Sequence, residues 1–234
     1  VSLEGPEGFE GPLEIPEVSG IYLDSRCFGE SLSPDAVLAY KEQCRRANKQ
    51  LYYVMPWVFR DSMLEWYRQE EHRGAVHLFD GVLVKNVESF QYLREIGYDK
   101  PVFLDHNMYT YNRRAMSFWK GQGVAMDTAP LELNARELAE RGCRQSELLV
   151  YGRIPMMVSA QCLHRTAGMC RRKGELFYLK DRKGKQFPVR NNCLGCYNVI
   201  YNCAPLRLED CLSQIDPLCP ASLRLSFTVE GADE

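Results

Sequence analysis

Between residues 21 and 157 short apolar runs rich in strand formers alternate with amphipathic segments, and this rhythm constrains the fold more than any other feature of the chain. The apolar runs are IYLDSR (21–26), LYYVMPW (51–57), FDGVLVKN (79–86), PVFLDHN (101–107), VAMDTA (124–129) and ELLVYGRIPMM (147–157). Helices are predicted between them. One covers 33–49, with Ser33 as N-cap and Pro34 at its first position. Others cover 60–74, stopping at Gly74, and 88–97, stopping at Gly97. The last two are 112–123, capped by Asn112, and 134–142. The strands are apolar nearly throughout, as strands covered on both faces are. Alternation with short connections implies a parallel sheet with crossover helices. Neither GxGxxG nor a P-loop occurs, which favours a closed βα barrel over an open doubly wound sheet.

The flanks read differently. Residues 1–20 carry Gly5, Pro6, Gly8, Gly11, Pro12 and Pro16 and are expected to be a linker or incoming arm. Residues 158–204 hold a cysteine cluster and a basic hairpin, ELFYLKDRKGKQFPVRN, turning at Gly184. Residues 205–234 are expected to supply a helix (206–215) and the final barrel strand (222–230). The chain starts at Val1 and stops where another crossover helix is expected. The barrel is therefore expected to be incomplete, and the missing N-terminal part of a longer protein to be a partner. No signal peptide or membrane-length apolar run is visible, so no membrane partner is expected. A net charge of −2 gives no global basic field.

Ten cysteines in 234 residues are many, and four of them crowd together. Cys162, Cys170, Cys193 and Cys196 follow the spacing C-x7-C-x22-C-x2-C, the last pair within NNCLGCYN. Two thiolates two residues apart can face one ion, and four can surround a soft metal centre. On spacing alone zinc and an iron–sulfur cluster stand level. His164 could replace one thiolate, and Cys203 is the first substitute ligand. Cys27, Cys44 and Cys143 read as small apolar packing groups.

Two further groups could carry chemistry. Residues 164–190 contain nine Lys or Arg against Glu175 and Asp181, with Phe177, Tyr178 and Phe187 interleaved. At the hairpin tip, Lys180, Arg182, Lys183 and Lys185 suit RNA phosphates, the aromatics suit bases, and the alternative is a solvated loop. Polar residues also stand at predicted strand C-ends: Asp24, Arg26, Lys85, Asn86, Asp127 and Arg153, and above all Asp105, His106, Asn107 and Glu132. That rim is where βα barrels place active sites. Asp105, His106, Asn107 and Glu132 are the catalytic candidates, expected to line one cavity.

The run APLELNARELAERG (129–142), followed by ELLVYGRIPMMVSAQC (147–162), resembles the U-32 peptidases, also called collagenase-like proteases. LDHNMYTYN (104–112) resembles the family segment ending in Asn, here Asn112. VMPW and FDGVLVKN resemble the branch that modifies ribosomal RNA, and the likeness spans roughly residues 20–230. The resemblance implies a TIM-like barrel and a four-iron four-sulfur cluster held by four Cys. It implies oxygen-independent hydroxylation of cytidine in transfer or ribosomal RNA, in a cytoplasmic, bacterial protein. The alternatives are a peptidase, as the family name says, and a zinc-stabilised binding module without catalysis. No Ser–His–Asp order, HExxH or paired-aspartate signature supports hydrolysis.

Overall fold

The computed structural model describes residues 1–230. Its first half follows the sequence rhythm. In chain order the elements are β1 (Ser2–Leu3), α1 (Glu10–Glu14), β2 (Gly20–Asp24), α2 (Pro34–Arg46), β3 (Gln50–Val54), α3 (Asp61–Arg68), α4 (Glu70–Leu78), β4 (Gly81–Val84), α5 (Val87–Glu95), β5 (Val102–Leu104), α6 (Arg113–Gly121), β6 (Met126–Thr128), α7 (Ala135–Arg141) and β7 (Ser146–Gly152). Then come β8 (Pro155–Ser159), α8 (Leu163–Thr166), β9 (Leu176–Lys180), β10 (Gln186–Asn192), β11 (Tyr197–Tyr201), β12 (Leu206–Arg207), α9 (Leu212–Ile215) and β13 (Ser222–Phe227).

Eight parallel strands close a barrel in the order β13-β1-β2-β3-β4-β5-β6-β7, with β7 paired back to β13. The fold is thus the expected TIM-like barrel. Two expectations are corrected. Residues 1–20 are not a linker: Ser2 and Leu3 form the strand between β13 and β2, and α1 follows. Nor is the barrel open, because that short strand closes it. Positions 231–234, the end of the last expected segment, lie outside the described residues. Among the described residues no helix is long and apolar enough to cross a membrane.

Strand periodicity sorts the side chains. Ile21, Leu23, Leu51, Tyr53, Val82, Val84 and Leu104 face outward and pack with helix residues such as Val37, Met63, Tyr67, Val76 and Leu93. Tyr22, Val54, Leu83 and Phe103 form a separate buried cluster with Tyr52 and Met126 inside the barrel.

Caps set the helix starts as the sequence predicts. Ser33 accepts from Ala36 N, and Asn112 accepts from Arg114 N and Ala115 N. Asn134 and Glu137 form a capping box. The predicted helix 60–74 is corrected. It breaks at Gln69, whose ψ of 141° is extended, and Gly74 lies inside α4 instead of ending a helix. The predicted helix 206–215 is corrected to β12 and short helical turns ending in α9.

The predicted strand 147–157 is two strands, because Gly152 turns the chain out of the barrel. Beyond it β8, β11, β10 and β9 form a four-stranded antiparallel sheet, so the expected hairpin is part of a larger unit. This sheet covers the C-terminal mouth of the barrel. Tyr197, Val199 and Tyr201 pack with Trp57, Val58 and Val229, and Tyr197 Oη accepts from Trp57 N at 3.1 Å.

Gly152 has φ +141°, and a Cβ there would lie 2.5 Å from Ser226 O. Gly152→Ala is expected to destabilise the fold by about 2–4 kcal/mol. Gly74 has open space around its Cβ position and sits in a helix, so Gly74→Ala is expected to stabilise by roughly 0.5–1 kcal/mol. Urea midpoints of the two variants, moving in opposite directions, check the pair.

Candidate functional site

The barrel interior turns from aromatic to charged towards its C-terminal mouth. Arg224, on β13, is 3% exposed. Its Nη2 donates to Asp105 Oδ1 at 2.5 Å, and its Nη1 stands 3.3 Å from Glu147 Oε1. Tyr22 Oη donates to Glu147 Oε2 at 3.4 Å, and the guanidinium lies over the Tyr22 ring. A second group surrounds Asp24, which takes Arg26 Nε at 2.9 Å and Lys85 Nζ at 3.0 Å. Arg26 also reaches Glu4 at 2.6 Å and donates to Tyr201 Oη, which donates to Glu4. Lys85 Nζ stands 4.7 Å over the Trp57 ring.

These pairings set the charge states. Burial alone would raise the Asp105 carboxyl, but Arg224, and after it His106 and Lys85, hold it well below the usual carboxylate range. Burial works the same way on Asp24, and Arg26 and Lys85 reverse it. Glu4 stays above its ordinary value, since burial outweighs Arg26 and the Asp24 charge adds to it. Burial holds His106 below its ordinary value of 6.5, with Asp105 opposing.

The two groups share one small cavity of about 30 Å³, lined by Glu4, Trp57, Lys85, Asp105, His106, Arg153, Arg224 and neighbours. That volume holds about one water. Four buried donors on lining residues, Trp57 Nε1, Arg153 Nε, Arg224 Nε and Arg224 Nη1, have no hydrogen-bond acceptor among the described residues, although Arg153 Nε stands 3.6 Å from Glu230 Oε1 and Arg224 Nη1 3.3 Å from Glu147 Oε1. A mouth with spare N–H groups suits a ligand edge rich in acceptors.

The four catalytic candidates separate. Asp105 and His106 line the cavity. Asn107 donates to Lys85 O at 2.5 Å, and Glu132 is exposed on the loop after β6, where its charge still reaches His106. Expecting all four in one cavity is corrected on Asn107 and Glu132. Glu4, Glu147, Arg224 and Tyr201 were not among the candidates. Glu4 lay in the supposed linker, and the others lie within strands. Their one visible signal is a polar group interrupting an apolar run, as in LRLSF.

The cysteines belong to the covering sheet. Cys162 precedes α8, Cys170 follows it, and Cys193 and Cys196 flank the β10–β11 turn. That turn is built locally. Asn192 Oδ1 accepts from Gly195 N at 2.8 Å, and Cys196 takes a left-handed φ of 51°. A Cβ at Gly195 would meet the Tyr197 ring at 2.6 Å and Met63 Sδ at 2.8 Å, so glycine lets the turn lie flat on α3. The Cys193 thiol is pushed up by burial, then by the charges of Cys162, Cys170 and Cys196 and of Glu30. Arg165 Nη1 approaches Cys196 Sγ at 3.5 Å, and the charges of Cys170 and Cys162 reach it too. Arg165 beside Cys196 suits a thiolate, and the chemistry of the four cysteines is that of a soft-metal or cluster ligand set. Among the described residues no group of three His, Cys, Asp or Glu side chains that could hold a metal ion is found. All ten cysteines are free thiols.

His164 is engaged elsewhere. Leu163 N donates to Asn198 Oδ1 at 2.6 Å, and Asn198 Nδ2 donates to Asn191 Oδ1. Asn191 Nδ2 then faces His164 Nδ1 at 2.9 Å, which makes Nδ1 the acceptor and places the ring proton on Nε2. The ring stacks on Phe177 at 4.3 Å, so Phe177 is covered, whereas Tyr178 is exposed. Lys180, Arg182, Lys183 and Lys185 are all exposed at the β9–β10 tip, and Asp181 Oδ1 accepts from the backbone N–H of Lys183 and Lys185.

Below its ordinary pKa, folded His106 binds fewer protons than the unfolded chain. Its contribution to stability is full above pH 6.5 and is lost as pH falls through the lower folded value. Glu4, shifted upward, contributes the opposite slope. The stability difference between wild type and His106→Gln, measured by denaturant unfolding from pH 7.5 to 5, is expected to shrink as pH falls.

The comparisons with known proteins give one match. A family model described as peptidase family U32 matches residues 18–175, which include β2 to β7, Cys162 and Cys170 but not Cys193 or Cys196. No curated protein and no solved structure matches the chain.

Proposed function

We propose, from the premise that the chain belongs to peptidase family U32, that it takes part in modifying RNA, with hydroxylation of a cytidine base as the reaction. In this reading Cys162, Cys170, Cys193 and Cys196 hold a four-iron four-sulfur cluster. The observation that supports it is that Cys196, in the β10–β11 turn, lies 3.5 Å from Arg165 Nη1 of the α8 segment that Cys162 and Cys170 flank, next to the sheet that covers the barrel mouth. A cluster there would supply one-electron transfer.

The chain's own residues have separable tasks. The spare donors of Trp57, Arg153 and Arg224 suit the O2 and N3 acceptors of cytosine. The cavity is too small for a base, so a base meets these donors at the entrance or after the covering sheet shifts. His106, held neutral by burial, is the proton acceptor at the mouth. Exposed Lys180, Arg182, Lys183 and Lys185 hold phosphates of ribosomal or transfer RNA and carry no sequence information. A cytoplasmic setting goes with this reading.

Protein purified without oxygen is expected to be brown, with about four iron and four sulfide per chain. Cys193→Ser and Cys196→Ser should lose both. One zinc and no sulfide would replace the cluster with a structural metal, and peptide hydrolysis lost in His106→Gln would favour the peptidase.

A separate measurement addresses RNA. Replacing Lys183 and Lys185 by Ala is expected to weaken RNA binding and lower the log–log salt slope by roughly two, about one for each phosphate contact. An unchanged slope would reduce the hairpin to a solvated loop.

A further inference from the structure

We infer that Tyr109 and Tyr111 form a stacking platform for an unpaired nucleobase beside the barrel mouth. This rests on the RNA reading above and adds to it the place where a base is held.

The two rings are displayed. Tyr109 is 56% and Tyr111 38% exposed. Their centroids are 5.6 Å apart and their planes differ by 10°, so they lie parallel. Exposed aromatic rings are otherwise a poor use of surface.

The backbone that holds them is unusual. Tyr109 has φ 54° and ψ 49°, a left-handed conformation that a bulky side chain rarely takes. The residue between the rings anchors the loop. Thr110 is 1% exposed, its Oγ1 bonds the buried Asp127, and Arg141 donates to both its carbonyl and its hydroxyl. Tyr111 N donates to Tyr109 O at 2.8 Å and tightens the turn. A buried Arg–Asp pair thus fixes Thr110 and leaves the two tyrosines outside. Such a rigid display lowers the entropy lost when a ligand stacks on it.

The location links the platform to the site. The tyrosines follow directly on the turn that carries His106, which lines the cavity. Glu132 lies close enough for its charge to act on both Tyr111 and His106. Arg113 and Arg114 follow at the start of α6, both exposed; Arg113 donates to the carbonyls of Glu140 and Arg141, and among the described residues Arg114 makes no ion pair. Flat aromatic faces beside the unpaired cation of Arg114 match the two faces of a single strand, bases and phosphates.

The test is fluorescence anisotropy of a short labelled oligocytidine, with a blunt RNA duplex for comparison. Tyr109→Asn keeps a residue that tolerates the left-handed backbone while removing the ring, and Tyr111→Ala removes the other. Each is expected to bind the single strand about 5- to 100-fold more weakly, with the salt slope unchanged. Tyr109→Phe and Tyr111→Phe should bind as wild type, which separates ring stacking from folding. Duplex binding should be the same for all forms. Equal losses on single strand and duplex would overturn the platform. So would wild-type affinity in the ringless variants while the Lys183/Lys185 variant is weakened, and in that case the RNA reading stands. Failure of the wild-type chain to bind either RNA would overturn both.

Discussion

A guanidinium buried in the middle of a barrel is costly unless opposite charges surround it. Arg224 meets Asp105 from β5 and Glu147 from β7, and lies over Tyr22 from β2. Removing these groups from water is expensive, and their attraction offsets it only when all are in place. The network therefore fixes the register of β13. A slip by one residue would put Leu225 inside and Arg224 on the outer face, leaving two buried carboxylates without a cation. β13 also stands at the seam of the barrel, between β7 and the short strand β1. Closure and the polar mouth thus depend on one side chain, and its unpartnered Nε belongs to the same mouth.

The covering sheet is tied to this mouth by polar contacts as well as packing. Tyr201 shares Arg26 and Glu4 with the barrel, and Arg190 Nε donates to Thr228 O just past β13. Tyr197 follows Cys196 directly and takes Trp57 N on its hydroxyl. Trp57 in turn carries Lys85 over its ring. A change at the thiol turn therefore has few steps to travel before it meets the residues of the cavity.

Much of the barrel was legible because its strands are covered on both faces and its helices are capped by Ser33, Asn112 and Asn134. Closure was not, because β1 has two residues and no periodicity can show in so short a strand. Gly74 misled because a glycine inside a helix is tolerated when its neighbours pack well, and Ala75 and Val76 are fully buried. The hairpin was legible from Gly184, and the Cys193–Cys196 turn from its spacing. The approach of the Cys162 segment to that turn depends on β8 pairing with β11, Ser159 opposite Asn198, which spacing cannot encode. Glu4, Glu147 and Arg224 escaped because inward and outward positions of a strand differ only once its register is known.

The cavity also divides labour between two adjacent residues that sequence alone presents as one group. Asp105 Oδ1 accepts from Arg224 Nη2 and from His106 N, and the carboxyl is held ionised well below the usual range. An oxygen so occupied is a poor proton acceptor. The His106 ring packs edge-on to Trp57, has no hydrogen bond among the described residues, and is kept neutral by burial. Of these two adjacent residues, His106 is thus the one whose ring nitrogens are left without a partner among the described residues. Asp105 positions the Arg224 guanidinium and, through the turn it caps, the imidazole itself.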